Sequence, residues 1–387
     1  MKKRNELVNG KEGGVHRRRW SRPGALGLVL ALTAALLAVV APNVAAQSSP
    51  VVVEDGESIQ AAIDAADPGT TIIVRGDHVE NIWVNKSGIR LVGEDSTLRP
   101  ADTGTGSPCI PDPQAPIHLI CVTPDSDGPP APADFLDGFE ISGFTLEDAP
   151  GDAISTAFVN NVDIAQNTVN NAGCDGIFVI FATEVLIARN DVDGSSCSGI
   201  FVEASADVIV RRNWVNDNTI LGIGVNNTSD ASIRRNIAEN NCIGIGSADG
   251  LDDGFGIGFD EFVSSGTRIT SNTSNNNNKT CPFGPDLTLG LAGILVTGGD
   301  DVLIRNNRTD NNAGTEDSAT AGGIVVSDFP NFDGSVTPTT NVTVTRNRAV
   351  GNSSANGPLD ILLLSESLLR VRHNHCDVSA PDPAWCG

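Results

Sequence analysis

The chain has 387 residues, with 25 Lys and Arg against 48 Asp and Glu and a formal net charge of −23. So acidic a surface repels nucleic acid and anionic membrane and excludes both as partners; it would also repel a polyuronate unless calcium or a local basic patch intervened. Eight cysteines, an even number, read as four disulfides in an exported protein.

Residues 1–46 stand apart from the rest. Lys2, Lys3, Arg4 and Arg17-Arg18-Arg19 make a positive leader, sixteen apolar or small residues run from Ala25 to Val40, and Val44-Ala45-Ala46 supplies a small-residue cleavage pattern. An apolar run of that length is short of the roughly 20 residues a spanning helix needs. The pattern therefore predicts a signal peptide over 1–46, a secreted chain starting at Gln47 and no membrane insertion after cleavage. The leader holds eight of the basic residues and two of the acidic ones, so the remainder carries a net charge of −29. Residues 47–387, which contain no Pro-rich or charged linker, are expected to form one elongated domain and a monomer.

Ser58 followed by apolar Ile59, Ala62, Ile63 and Ala66, then Asp67-Pro68-Gly69, predicts a short capped helix over 58–66. Beyond it an internal repeat dominates. A short strand ending in (Ile/Val)-x-x-Asn recurs at Asn167, Asn190, Asn213, Asn236, Asn272, Asn307, Asn347 and Asn374, and the first three steps are each 23 residues. A second strand, Gly-Ile-x-(Val/Phe), follows at Ile177, Ile200, Ile223, Ile257, Ile294 and Ile324. Ile141-Ser-Gly-Phe144 lies one step upstream, so the coils start before the first asparagine. Strands this short at this period cannot make hairpins. They make coils, each strand pairing with its equivalent about 4.8 Å away in the next coil. Ile and Val then stack inside, and the asparagines form an amide ladder along the axis. The fold class is all-β, a single-chain right-handed parallel β-helix. Its helical N-terminal cap faces a disulfide-closed plug over 376–387 at the other end, where Trp385 folds over the last coil.

Ile59-Gln-Ala-Ala-Ile-Asp-Ala-Ala66, Pro68-Gly-Thr-Thr-Ile-Ile-Val74, Val79-Glu80 and Asn85-Lys-Ser-Gly-Ile-Arg-Leu-Val-Gly-Glu94 resemble the opening of the pectate-lyase-like β-helix proteins. The resemblance covers roughly residues 51–375. It implies the same fold and, since that superfamily holds polysaccharide lyases, glycoside hydrolases, uronan epimerases and periplasmic copper-site-maturation proteins, an extracellular polysaccharide as partner. Where that opening usually reads Gly-x-Tyr, this chain has Gly76-Asp77-His78, and it contains no tyrosine.

Loop lengths point to a site. From ladder asparagine to the next Gly-Ile strand takes nine residues in three coils, then 20, 21 and 16 if the fourth strand begins at Gly256 rather than Gly244. The three insertions then share one corner and wall the Gly-Ile sheet. Asp249, Asp252 and Asp253 of the first loop are candidate Ca²⁺ ligands, although no calcium motif is met. Along the outward fourth position of the strands lie Glu203, Asn226, Asp260, Thr297 and Ser327. Glu203 and Asp260, two coils and about 9.6 Å apart, are the candidate carboxylate pair of an inverting hydrolase, which needs ~6.5–9.5 Å. Outward Phe178 and Phe201 would stack on sugar rings, and Asn226 would bond to them.

Arg189, Arg211, Arg212, Arg234, Arg235, Arg305, Arg346 and Arg372 recur beside the ladder asparagines. Such a row is expected to pair with surface carboxylates; the alternative is that it binds a uronic-acid chain, with Arg212 and Arg235 at its centre. His373-Asn-His375-Cys376 offers two imidazoles for copper or zinc. Three functions follow: a secreted protein that binds and cleaves a polysaccharide, a non-catalytic adhesion or structural module, and a periplasmic metal-site maturation protein. Repeat geometry pairs Cys174 with Cys197 and Cys242 with Cys281, while Cys109–Cys121 and Cys376–Cys386 close the early excursion and the plug.

Overall fold

A computed structural model describes residues 49–387 except 102, 107–108, 110–115, 126–129, 250–263, 278–291, 315–320, 332–334 and 366–368. The chain winds in coils whose strands pair in parallel with their equivalents before and after, as Ile200 does with Ile177 and Ile223. Each regular coil has three strands where the sequence suggested two. In one coil they are Thr183–Ala188, Asp191–Asp193 and Ile200–Glu203. The first two flank the turn at Arg189-Asn190 and belong to a 19-stranded sheet; the third belongs to an 11-stranded sheet, both counted among the described residues. Short strands with one inward residue, such as Val169, Val192 and Val215, carry no alternation from which a strand could be read.

Inside, Val185, Ile187, Val192, Ile200 and Val202 are at most 1% exposed. Their β-branched side chains suit a pleated surface, and each fully buried one contributes about 1.5–3 kcal/mol. The polar component of the interior is the asparagine ladder. The residue before each rung is left-handed (Arg189 at φ 60°, Arg212 at 58°, Arg235 at 58°), which turns the chain sharply and aims the asparagine inward. Asn190 Nδ2 donates to Asn213 Oδ1 at 3.1 Å and to the Ile164 carbonyl at 2.8 Å, and its backbone N–H donates to the same Oδ1 at 2.9 Å. The pattern runs to Asn374 across rung separations of 23, 36, 35, 40 and 27 residues. A second ladder lies five residues on, through Asn218, Asn241, Asn277, Asn312 and Asn352 to Asp360.

The cap is a helix, Ile59–Ala65, with Ile59 and Ile63 fully buried in the core. Ser58 Oγ accepts from the Ala61 N–H. The Glu80 carboxylate accepts from the Ile59 and Gln60 N–H groups at 2.6 and 3.2 Å, and Lys86 Nζ donates to the carbonyls of Ile63, Asp64 and Ala66 at 2.7–3.0 Å. An anion at the N-terminus and a cation at the C-terminus complement the helix dipole and satisfy its end groups. His78, in the place of the usual tyrosine, is buried between the Glu57 and Arg75 carbonyls.

Three disulfides match the expectation: Cys109–Cys121, Cys174–Cys197 with Cα atoms 4.5 Å apart, and Cys376–Cys386. Cys242 is also disulfide-bonded, and Cys281 lies outside the described residues. The choice of Gly256 is corrected. Ile245 pairs with Ile223 on one side and Ile294 on the other, so Gly244 begins the fourth strand. The first insertion therefore leaves after the strand and the other two before theirs, and the three do not share a corner. An insertion after the strand leaves the short path from Asn236 to Ile245 intact, which the stacking of Ile243–Ala248 requires.

Truncating one rung tests the ladder. Asn213→Ala strips partners from the Asn190 amide and backbone N–H, the Ile187 carbonyl and Asn236. Since each buried group left unpaired costs about 1–3 kcal/mol, urea unfolding followed by circular dichroism should show a loss of about 3 kcal/mol or more.

Candidate functional site

Alternation along the strands of the 11-stranded sheet turns every second side chain outward. One outward row reads Cys121, Ser155, Phe178, Phe201, Gly224, Gly246, Leu295, Val325 and Leu362. Two consecutive glycines interrupt it, and above them lies a cleft of about 160 Å³. Phe201 and Leu295 close its ends, Leu221 and Ile243 line one side, and Asn226, Ala248 and Thr297 line the other. Phe329 reaches it from the hairpin Phe329–Pro330/Val336–Thr337. A Cβ at Gly224 would stand 2.7 Å from Phe201 and 2.8 Å from Leu221, and one at Gly246 would stand 3.0 Å from Leu221. Any side chain at either position would fill the notch. The Gly-Ile-Gly of these two coils, against Gly-Ile-Phe or Gly-Ile-Leu in others, was the available sequence signal and was missed.

A family model described as a right handed beta helix region matches residues 136–255. Parallel strands before and after those residues continue the same coil. The fold of the described residues is a right-handed parallel β-helix. This β-helix is similar to the mannuronan C-5 epimerase AlgE4 A-module of Azotobacter vinelandii, with 15% identity, 87% of this chain and 98% of that one covered and a TM-score of 0.53. It is also similar to a double mutant of the periplasmic alginate epimerase AlgG, with 12% identity, 84% and 83% covered and a TM-score of 0.53. At such identities the likeness is one of fold alone. No curated protein matches in sequence.

The β-helix divides the expected site residues between two faces. Phe201 and Asn226 line the cleft. Phe178 stacks on Phe201 with centroids 5.9 Å apart but is itself buried, in a cluster with Phe135, Phe158 and Phe181, so it offers no open platform. Glu203 is 5% exposed and accepts from Asn226 Nδ2 at 3.1 Å. The position two coils beyond it is held by Ala248, not Asp260; the register shift from Gly256 to Gly244 is the reason. Asp260, Asp252 and Asp253 lie outside the described residues. Asp249 is buried just after Ala248, and burial raises its carboxyl above the ordinary range against the Ser264 backbone N–H. Arg212 and Arg235 sit on the 19-stranded sheet, at the turn before Asn213 and Asn236, and take no part in the cleft.

The pair His373 and His375 does not share a strand face. The strand ends at Arg372, His373 is left-handed at φ 56°, and Cys376 is bonded to Cys386. Among the described residues, the cluster of three metal-capable side chains is Cys174, Asp175 and Cys197, and its two sulfurs form a disulfide.

A buried polar column enters the 11-stranded sheet beside that disulfide. His118, Asp152, Asp175 and Ser198 occupy equivalent turns, all at most 8% exposed. His118 Nδ1 accepts from the Asp152 N–H at 2.9 Å, which leaves the ring proton on Nε2. Asp152 Oδ1 accepts from the Asp175 N–H at 3.0 Å, and Asp175 Oδ1 from the Ser198 N–H at 2.7 Å. Burial pushes the Asp152 carboxyl up to about 7. Burial and then repulsion from Asp152 push Asp175 up to about 8, and burial brings His118 down to about 4.

An acid whose folded value is raised above the unfolded 3.8 contributes stability that is whole below 3.8, declines as pH rises and is gone once pH passes the folded value. His118, lowered from 6.5, acts in the opposite sense, losing stability as pH falls toward 4. Above 6.5 only the aspartates operate. The melting temperature should therefore fall between pH 6.5 and 8.5, and Asp175→Asn, whose amide still accepts from Ser198 but cannot ionise, should flatten that decline in thermal melts.

Proposed function

We propose that this protein acts outside the cytoplasm on a polysaccharide held in the glycine-floored cleft of the 11-stranded sheet. The observation that carries the reading is the cleft itself. A trough with an open floor, Phe201 and Phe329 at its walls and amide and hydroxyl groups along one side suits a sugar ring, whose faces are apolar and whose edge is polar. Three disulfides fit an oxidising compartment, in keeping with a leader over 1–46. The similar folds are enzymes named for mannuronan and alginate, which supports a polysaccharide as the substrate class.

Among the described residues Glu203 holds the same register position as Asn226, Ala248 and Thr297, and it is joined to the cleft through Asn226. Glu203→Gln keeps an acceptor for Asn226 and removes the charge. Should Glu203 transfer protons, turnover of a cleaved glycan, read as reducing ends or unsaturated uronide, should fall by about 10²-fold or more with affinity retained. If it only holds Asn226, turnover and affinity should both stay within about twofold.

A second reading, a non-catalytic glycan-binding module, is favoured by one observation: no side chain that lines the cleft among the described residues is ionisable. Both readings require the cleft to bind. Gly224→Val fills it and should abolish retention on a glycan array, while a melting temperature close to that of the parent would show the coil intact.

A further inference from the structure

The 19-stranded sheet turns a different chemistry to solvent. Arg211 and Arg234 are direct partners on neighbouring parallel strands. Arg189, Arg212 and Arg235 stand at the adjoining left-handed turns of three successive coils, all exposed. None of these five guanidinium groups makes an ion pair with a described carboxylate; the arginines so paired are Arg75, Arg90, Arg99, Arg268, Arg308 and Arg348. The expectation that this row neutralises itself on surface acids is thus not met.

Geometry explains why. Glu184, Asp207 and Asp230 lie at the left-handed turns on the far edge of the same strands, with Leu186 and Ile209 between them and the arginines. On the other arm, Asp193 is bonded to Asn216 and Glu239 to Asn275. Asp163, the carboxylate that feels Arg211, is itself held above its ordinary range by burial and by Glu140. The result is a basic ridge between two acidic margins, on a chain whose net charge is −23.

Two features of the ridge work against the fold. Like charges directly opposite one another on neighbouring strands repel. A left-handed turn is also easier for asparagine than for arginine, and Asn306 fills the equivalent position in a later coil. Beside the ridge Trp214 is 53% exposed and Ile237, its cross-strand partner, 41% exposed. Five arginines outside any ion pair with a described carboxylate, beside an exposed indole that pairs with Ile237 on one strand and with exposed Asp191 on the other, form a surface for a ligand that brings both charge and an apolar face.

We propose that this ridge is a second binding site, separate from the cleft, for an acidic polysaccharide whose sugars carry carboxylates. Guanidinium groups bind carboxylates through paired hydrogen bonds. They recur here once per coil, a rise of about 4.8 Å, close to the length of one sugar in an extended chain. Trp214 stacks on a ring face, and the acidic margins confine the polymer to the ridge and turn away anything broader. The site rests on charge and register alone and stands whether or not the cleft binds.

The test measures binding of the purified protein to sodium polygalacturonate, dextran and single-stranded DNA. The variants are Arg212→Asn/Arg235→Asn, which suits the left-handed turn, Arg212→Lys/Arg235→Lys, Trp214→Ala and the cleft variant Phe201→Ala. Polygalacturonate should bind, and more weakly as salt screens the ridge. The asparagine pair should weaken it about tenfold or more, Trp214→Ala about threefold, and the lysine pair should recover part of the loss. Dextran should not bind through the ridge, and the asparagine pair should weaken polygalacturonate by the same factor when it is placed in the Phe201→Ala background. The proposal is overturned if polygalacturonate does not bind, if the asparagine pair binds it as the parent does, or if DNA binds as tightly through the same arginines. A loss confined to Phe201→Ala, with none in the asparagine pair, would place the acidic chain in the cleft and overturn it equally.

Discussion

A buried primary amide needs an acceptor for its N–H groups and a donor for its oxygen, and within this coil the equivalent amide of the neighbouring turn supplies part of both, beside a backbone carbonyl and a backbone N–H. That constraint sets the register of the whole molecule. Each asparagine accepts from the backbone N–H and the amide of the rung before it, so a slip of one residue would leave several buried groups unpaired, each at a cost of about 1–3 kcal/mol. With register fixed, the outward rows are fixed too. Gly224 stands beside Gly246 and Arg211 beside Arg234 because Asn213 stands beside Asn236.

The two outer surfaces inherit opposite characters from one interior. On the 11-stranded sheet the outward residues are largely aromatic, aliphatic or glycine, and among the polar ones Glu203, Asn226, Thr297 and Ser327 share one edge. On the 19-stranded sheet they are largely charged and sorted by turn, acids at one bend and arginines at the next. A coil that stacks like on like converts a modest preference at one repeat position into a continuous lane, which is how a strongly acidic chain comes to carry a basic strip.

Much of the scaffold was legible because it depends on local or periodic signals. Asn167, Asn190 and Asn213 announce themselves by equal spacing, Ser58 by its place before an apolar pattern, and the Cys174–Cys197 bridge by one repeat length. What escaped depends on partners far along the chain. Gly244-Ile245 and Gly256-Ile257 read alike, and only pairing with Ile223 and Ile294 separates them. Phe178 looked outward and is outward, yet of the rings that gather in its cluster Phe181 follows on its own strand and Phe158 and Phe135 arrive from the two preceding coils. The second asparagine ladder was open to view at a constant offset of five from the first. The site was less legible than the scaffold because a cleft made of missing side chains leaves glycines, and glycines in a repeat protein pass for turns.

The ladder also separates two quantities that are tied together in most folds. Its rungs connect residues 23, 35, 36 and 40 apart with the same amide contacts at 3.1 Å. Rise per coil is therefore indifferent to how much chain a coil contains. Extra segments can be spliced in at the corners, or whole coils duplicated, without disturbing their neighbours, so this architecture can acquire new surface chemistry by growth while its interior stays as it was.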